Sequence, residues 1–435
     1  MACAQLAARP LEEAGAALDD ILLAIRSAKR RRADLVVLPE CAYPGYVLLS
    51  ADPYRRPIPS AGEALQRICK AAARHEIHVA VGMARKARRG LENQAILIDD
   101  TGVERAVVAK SLLWSFDARW FARGGRPRVA YTRFGRIGML VCADGRVPEI
   151  ARSIAEQGAW LILDPTAWVG YGTSFDALQN PQAQYVLRIR AFENGVWIAA
   201  ADKCGAEHSA VFYVGASQIV APSGEVVARA GVADPEIIVA AVAPPRRRTH
   251  FTSVRAAANV LGQRARKTAA AGGTVWLGVY QAFVRAAPDE HDTIATLQAQ
   301  GADIIVKTAA SAARLRTVFA NAQVLRSTLV EGRAFARPES ARPAARAGAD
   351  LVVWSRPPNN FPVLDLARTR ALENRVYVLV CTTPRPDVST CLIDPNGLVV
   401  AAALCGAPSA FLAALELASA RRKLVVPGTN VFEGT

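Results

Sequence analysis

Apolar positions in the first half of the chain alternate between two periods. From Leu18 to Ala33 they recur at helical spacing, and the short run Asp34–Leu38 that follows is apolar enough for a buried strand. A second helical pattern over Ala61–His75 leads into a strand over Ile77–Gly82. Gln94–Asp99 and Glu104–Ala109 read as strands on either side of a hairpin turn at Asp100–Gly102. Then come a strand over Arg136–Val141, a helix over Pro148–Gln157 and a strand over Trp160–Leu163. A helix over Pro181–Asn194 and a strand over Val196–Ala201 follow. Ala216–Val220 and Glu225–Ala228 flank the turn Pro222–Gly224. Mixed βα units and hairpins of this kind predict an α/β layered sandwich.

The pattern then breaks and repeats. Residues 243–267 contain seven basic residues and no acidic one, which reads as a linker or a solvated arm. Beyond it, ADIIVKTA at Ala302–Ala309 resembles ADLVVLPE at Ala33–Glu40, and GADLVVW at Gly348–Trp354 resembles GAWLILD at Gly158–Asp164. RTRALENRVYVLV at Arg368–Val380 resembles RIRAFENGVWIAA at Arg188–Ala200, and PNGLVVA at Pro395–Ala401 resembles PSGEVVA at Pro222–Ala228. The order is kept, so the second half reads as a shortened copy lacking roughly 90 residues, mostly between the equivalents of Glu40 and Cys142. The expected organisation is a catalytic domain over 1–245, a basic linker over 246–271 and a non-catalytic second domain over 272–435.

Composition narrows the class. The 435 residues are 51 % hydrophobic and 21 % charged, which is globular usage. No apolar run has the length of a membrane helix, and the start MACAQLAARPLEEAG has neither the basic nor the apolar region of a secretory signal. Eight scattered cysteines without a C-x-x-C pair, and only five histidines, offer no zinc site. We expect a cytoplasmic protein with reduced thiols, without metal or cofactor and without a membrane partner. The net charge of +15 raises nucleic acid as a partner. The arginines are scattered, few aromatics interleave them and no nucleic-acid module is visible, so none is expected; an anionic substrate or surface stays open.

Three segments carry candidate chemistry: LVVLPECAYPGY with Glu40 after a buried strand, AKSLLWSFDARWFARGG with Lys110 at a strand end, and GRIGMLVCADGRVPE with Cys142 before a helix. In this order, and with the downstream RAFEN segment, they resemble the nitrilase (carbon–nitrogen hydrolase) superfamily. All three motifs fall within residues 1–245; the likeness over 272–435 is weaker. The resemblance implies a four-layer αββα sandwich and a catalytic Glu–Lys–Cys triad, here Glu40, Lys110 and Cys142. A fused second copy would then form an internal pseudo-dimer, with other surfaces open to further homo-oligomers.

The residues fit that chemistry. Cys142 lies near the positive end of the helix starting at Pro148, which favours its thiolate. Glu40 would take the thiol proton and pass it to the leaving amine. Lys110 and the Ala143 N–H would hold the oxyanion, and water would then attack the acyl-enzyme with Glu40 as base. Asp117 stands seven residues after Lys110, where the family usually carries a supporting glutamate; the competing reading is a surface or turn aspartate. Tyr43, Trp114, Phe116 and Trp168 are candidates to line the pocket, although aromatics at such places are as readily core. Arg146 and Glu149 fit the family pattern C-x-D-x-R-x-P-E and suggest an ion pair fixing the helix. In relatives with carboxylated substrates an arginine here can instead hold the carboxylate. Glu193, Cys41, His75 and His78 read as structural.

In the second copy Ala309 matches Glu40, an alignment through EGR puts Leu329 at the place of Cys142, and the lysine segment is missing. After the nucleophile, nitrilases usually show C-W-E, whereas Cys142-Ala143-Asp144-Gly145-Arg146 looks like the amidase and carbamoyl-hydrolase branches. The expected reaction is hydrolysis of a small linear amide or N-carbamoyl compound through a thioester, releasing ammonia or an amine. Nitrile hydrolysis or acyl transfer by the same site, and a non-catalytic scaffold, are the alternatives.

Overall fold

The computed structural model of the protein describes its residues apart from 51, 128, 173–177, 246–272, 283–289, 310–317, 320–324, 383–387, 427–428 and 433–435. The basic linker expected over 246–271 lies outside the described residues. The chain divides into two compact units: Met1–His250 with Val426–Thr429 and Glu433–Thr435, and Phe251–Val425 with Asn430–Phe432. Among the described residues no helix is long and apolar enough to cross a membrane.

The first unit holds two sheets. One runs Val211–Val214, Lys203–Glu207, Ala2–Ala7, Leu35–Val37, His78–Ala87, Gly90–Ile98, Glu104–Ala109, with Glu236–Val239 added antiparallel to Ala2–Ala7. The other runs Val226–Arg229, Gln218–Val220, Trp197–Ala201, Leu161–Pro165, Gly135–Met139, Ala130–Thr132. Strand alternation sorts the side chains into layers. Ala2, Ala4, Val36, Val79 and Val81 pack under helices α1 (Ala14–Arg30) and α2 (Ala61–His75). Cys3, Leu35, Val37 and Ala80 meet Ile137, Met139, Leu161 and Leu163 of the second sheet. Helices α3 (Pro148–Glu156) and α4 (Leu187–Asn194) cover that sheet's other face through Ile150, Ile154, Leu187 and Ala191. The result is the helix–sheet–sheet–helix order expected for this half.

Local signals explain most boundaries. The α2 helix starts at a capping box, with Ser60 Oγ accepting from Glu63 N–H and the Glu63 carboxylate accepting from Ser60 N–H. The α1 helix begins earlier than its apolar pattern suggests because its first turns bury alanines, Ala14 and Ala17, which mark a face weakly. The strand Ala2–Ala7 escaped notice altogether. Its sequence ACAQLA has no β-branched residue, and its buried Gln5 spends its amide on Gly231 O, Asp234 O and Ser217. The region expected as one helix over Pro181–Asn194 opens as a π-turn, Gln182–Val186, before α4.

The second unit also has two sheets. One runs Val318–Phe319, Ile304–Ala309, Thr274–Ala282, Ser409–Glu416, and the other Ser327–Glu331, Leu351–Ser355, Tyr377–Cys381, Cys391–Ile393, Val399–Ala402. They share a core of Leu277, Val279, Ile304, Val353, Leu379, Leu392 and Leu415. Helix α5 (Glu290–Ala299) buries Leu297 against the first sheet, and α6 (Arg342–Arg346) adjoins α7 (Val363–Asn374), which packs on Tyr377–Cys381.

One frame recurs in both units. Arg190 donates to the carbonyls of Gly145 and Arg146 and to Glu193, 2.7 Å away, while Asn194 donates to Arg190 O. Arg370 donates to the carbonyls of Phe335 and Ala336 and to Glu373, also at 2.7 Å, while Asn374 donates to Arg370 O. Each arginine thereby holds a short 3-10 turn, Cys142–Arg146 in one case and Gly332–Ala336 in the other. Both turns open in the left-handed region, at φ +48° for Cys142 and +52° for Gly332. This corrects the sequence alignment. Leu329 is a strand residue opposite Val353, and Gly332 occupies the turn position that Cys142 occupies in the first unit.

Candidate active site

The site is assembled where strand ends of the two sheets of the first unit converge. Glu40 follows the strand Leu35–Val37, and its N–H donates to Thr166 O at the end of Leu161–Pro165. Gly82 of the neighbouring strand backs against it so closely that a Cβ there would stand 2.3 Å from Pro39 O and 2.5 Å from Glu40 Cα. Lys110 leaves the strand Glu104–Ala109, with its N–H on Asn93 O and its carbonyl accepting from Gly124. Cys142 opens its turn three residues beyond the end of Gly135–Met139. Its N–H donates to Asp164 Oδ1 at 2.8 Å and its carbonyl accepts from Gln182 Nε2 at 2.8 Å.

The ionisable groups form a connected, buried set. Lys110 Nζ lies 2.8 Å from Glu40 Oε1 and 2.6 Å from Asp117 Oδ2, and all three side chains are fully buried. Asn93 Nδ2 donates to the same Glu40 oxygen at 2.6 Å, and Tyr46 Oη donates to Asp117 Oδ1 at 2.7 Å. Glu40 Oε2 has no hydrogen-bond partner among the described residues. Burial works against the Lys110 charge, but Asp117 and Glu40 outweigh it and hold the ammonium well above the ordinary lysine range. Burial lifts Glu40 above the usual carboxylate range, with Lys110 and Asn93 pulling it back. A lysine has three N–H donors, and two of them here are committed.

Around this set lie three further buried acids. Asp144 accepts from the N–H groups of Ser111, Leu112 and Val141, which ties the lysine loop to the cysteine turn, and burial pushes it up to about 6. Asp202 accepts from Trp168 N–H. Burial holds both Asp164 and Asp202 well above the carboxylate range.

Residues 1–249 match the carbon–nitrogen hydrolase family. The chain belongs to that family. It is an amidase-like hydrolase in its broad class. A nitrilase of Pyrococcus abyssi is 30% identical to it over 222 residues, which span 50% of this chain and 80% of that one. An (R)-stereoselective amidase of Pseudomonas sp is 28% identical over 204 residues, spanning 46% of this chain and 69% of that one. A solved amidase structure from Nesterenkonia sp. shares 30% identity, covers 54% of this chain and 87% of that chain, and has a TM-score of 0.47.

Within this hydrolase the structure brings Glu40, Lys110 and Asp117 into direct contact, so the surface reading of Asp117 fails. Ala143 is the second residue of the cysteine turn. Trp114 is half-buried, with the Arg146 guanidinium 4.3 Å above its ring, and Phe116 packs edge-on to Tyr46. Trp168 is buried in the core between the sheets that also holds Cys142. Tyr43 does not line the site. It packs beneath α1 and α2, and its hydroxyl donates to Pro59 O. Tyr46, three residues on, is the tyrosine at the acid–lysine cluster.

Two further expectations are corrected. Arg146 does not pair with Glu149; it donates to Gln182 Oε1 at 3.0 Å and to Tyr171 Oη at 3.5 Å, because its turn points it across Trp114 rather than along α3. The pull toward the thiolate expected from the helix dipole is outweighed. The 3-10 turn separates Cys142 from the α3 start, and burial, then Glu40, push the thiol well above its ordinary range despite Lys110. His78, edge-on to Phe134, Cys41 in the core, and Glu193 on Arg190 are placed as structural residues. Sequence reasoning missed Asn93, Tyr46, Asp144, Asp164 and Gln182. Two of these had a signal: Asn93 is polar within an otherwise strand-like run, and Asp164 closes the apolar run WLIL.

Proposed function

We propose that this unit hydrolyses a small linear amide or N-carbamoyl compound, with Cys142 as nucleophile. The observation that carries the reading is Glu40: one oxygen is held by Lys110 and Asn93 while Oε2 is buried without a partner, as a proton acceptor needs. With a neutral resting thiol, proton transfer to Glu40 accompanies attack of Sγ on the carbonyl carbon. The oxyanion takes the remaining Lys110 donor and the Ala143 N–H. Glu40 then protonates the leaving nitrogen, the C–N bond breaks, and ammonia or an amine departs from a thioester. Water adds to the thioester with Glu40 again as base, and the acid leaves as the thiol is restored. Arg146, half-buried beside the cysteine turn and hydrogen-bonded among the described residues to the neutral Gln182 and Tyr171, favours substrates with a carboxylate at the far end.

The second unit is, in this reading, a shortened copy of the first. Its strand order and pairing directions repeat those around Ala2–Ala7 and Trp197–Ala201, and its Arg370 frame repeats that of Arg190. Gly332 supplies no nucleophile there. Ammonia release from a panel of amides, N-carbamoyl acids and nitriles, run beside Cys142→Ala, tests the main proposal. Release by wild type alone supports it; equal release by both, or none from any member with Cys142 inert to alkylation, overturns it.

A further inference from the structure

Asp144, Asp164 and Asp202 are fully buried acids that make no ion pair among the described residues. Asp144 and Asp202 brace loops around the site. Asp164 differs, because the group it holds is the peptide of Cys142 itself. Its Oδ1 accepts from Cys142 N–H at 2.8 Å, and on the other side of the residue Gln182 holds the carbonyl at the same distance. The residue so clamped sits at φ +48°, a conformation an L side chain adopts only when its surroundings impose it. Asp164 Oδ2 is left without a partner under the turn, 3.9 Å from where a Cβ on Gly145 would stand.

We propose that Asp164 is a positioning residue for the nucleophile: it fixes the Cys142 peptide through the Cys142 N–H, and its ionisation competes with that of the Cys142 thiol. This rests on the reading of Cys142 as the nucleophile.

An orphaned carboxylate oxygen in a dry site is far more costly than an orphaned acid oxygen. Burial works hardest against ionisation of Asp164, and the Cys142 N–H pulls toward it. Glu40 from the first sheet, Asp144 from the turn and Asp202 beyond Trp197–Ala201 add to the effect of burial, and Asp164 in turn raises the thiols of Cys3 and Cys142. Lys110 acts on Glu40, Asp144 and Cys142. Two acids so close cannot both ionise freely, so the thiol and Asp164 titrate as a pair.

Two substitutions separate the roles. Asp164→Asn keeps an acceptor for the Cys142 N–H and cannot ionise; Asp164→Val has a similar shape and no acceptor. The rate of Cys142 alkylation by iodoacetamide, read by mass spectrometry from neutral to alkaline pH, is the first readout. The D164N curve should move to lower pH by about one unit, giving roughly tenfold faster labelling at a fixed pH on its rising limb. A curve that superimposes on wild type overturns the proposal. Turnover is the second readout. At neutral pH D164V should lose about tenfold or more in kcat with KM little changed, because the Cys142 N–H is orphaned, and D164N should recover most of that loss. Equal kcat in D164N and D164V overturns the positioning role. Labelling needs no substrate, so a shifted curve supports this pairing even beside a silent substrate panel, and a silent panel with Cys142 inert to alkylation fails the hydrolytic reading.

Discussion

Gly82→Ala tests how tightly the fold holds Glu40. The added Cβ would meet Pro39 O at 2.3 Å, Glu40 Cα at 2.5 Å and Cys41 N at 2.7 Å. All three are backbone atoms, so no side chain can swing away. Restoring ordinary contact requires the Glu40 segment and the strand His78–Ala87 to separate by about 1 Å, against the Gly82 N–H bond to Pro39 O. Glu40 would then leave its place against Lys110 Nζ and Asn93 Nδ2. A displacement of that size near reacting groups can lower kcat ~100-fold. Overpacking should lower stability by about 1–3 kcal/mol, and each kcal/mol shifts Tm by ~2–4 °C in a unit of this size. The assay pairs kcat for a responsive amide with thermal unfolding followed by circular dichroism. Gly15→Ala is the control: it lies in α1 with nothing within 4 Å of the new methyl, and should gain about 0.5–1 kcal/mol. Wild-type kcat and an unchanged Tm in G82A would show that this close approach does not fix the site.

The remaining predictions concern protons, ion pairs and strain. Activity needs Glu40 ionised, and burial raises the pH at which it ionises, so kcat/KM should fall on acidification at a pH above the ordinary carboxylate range. Asn93→Ala removes a hydrogen bond that favours the carboxylate and should move that acid limb up by about one pH unit; a limb that stays or moves down refutes the assignment. Arg190→Ala leaves buried Glu193 without its guanidinium partner and should destabilise the first unit by about 3–5 kcal/mol in urea unfolding, whereas a loss below about 1 kcal/mol would show the frame to be dispensable. At Cys142 the usual order of Ala over Gly should reverse. Cys142→Gly should be more stable than Cys142→Ala by about 1 kcal/mol, because only glycine is relaxed at φ +48°.

The fold of the first half was legible because its strands are apolar runs and its helices carry marked faces. What escaped notice was structure whose residues are small or polar, such as Ala2–Ala7 and Lys203–Glu207, where hydrogen bonding by Gln5 and Glu207 does the work of apolar side chains. Glu40, Lys110 and Cys142 stood out because each follows a strand at a motif. Asp117 could be named but not placed until the turn Ser115–Arg119 brought it back onto Lys110. The outer members of the site were not legible. Tyr46 and Asn93 reach it only through tertiary contact, and Tyr43 was preferred to Tyr46 because sequence distance cannot say which face of a sheet a loop residue meets. The balance at Cys142 was only half legible for a related reason: a helix start is visible in sequence, whereas burial of the thiol is not.

The left-handed turn occurs at the same place in both units, on different residues. At Cys142 the left-handed conformation is carried by an L side chain at a cost in stability, while at Gly332 the same shape is carried by a residue for which it is no strain at all. The guanidinium frame, not the side chain at the apex, preserves the shape in both. Selection can therefore remove or reinstall the reactive group without redrawing the chain around it. A glycine at such an apex lets a turn keep its geometry without strain, and one polypeptide carries both versions of that turn.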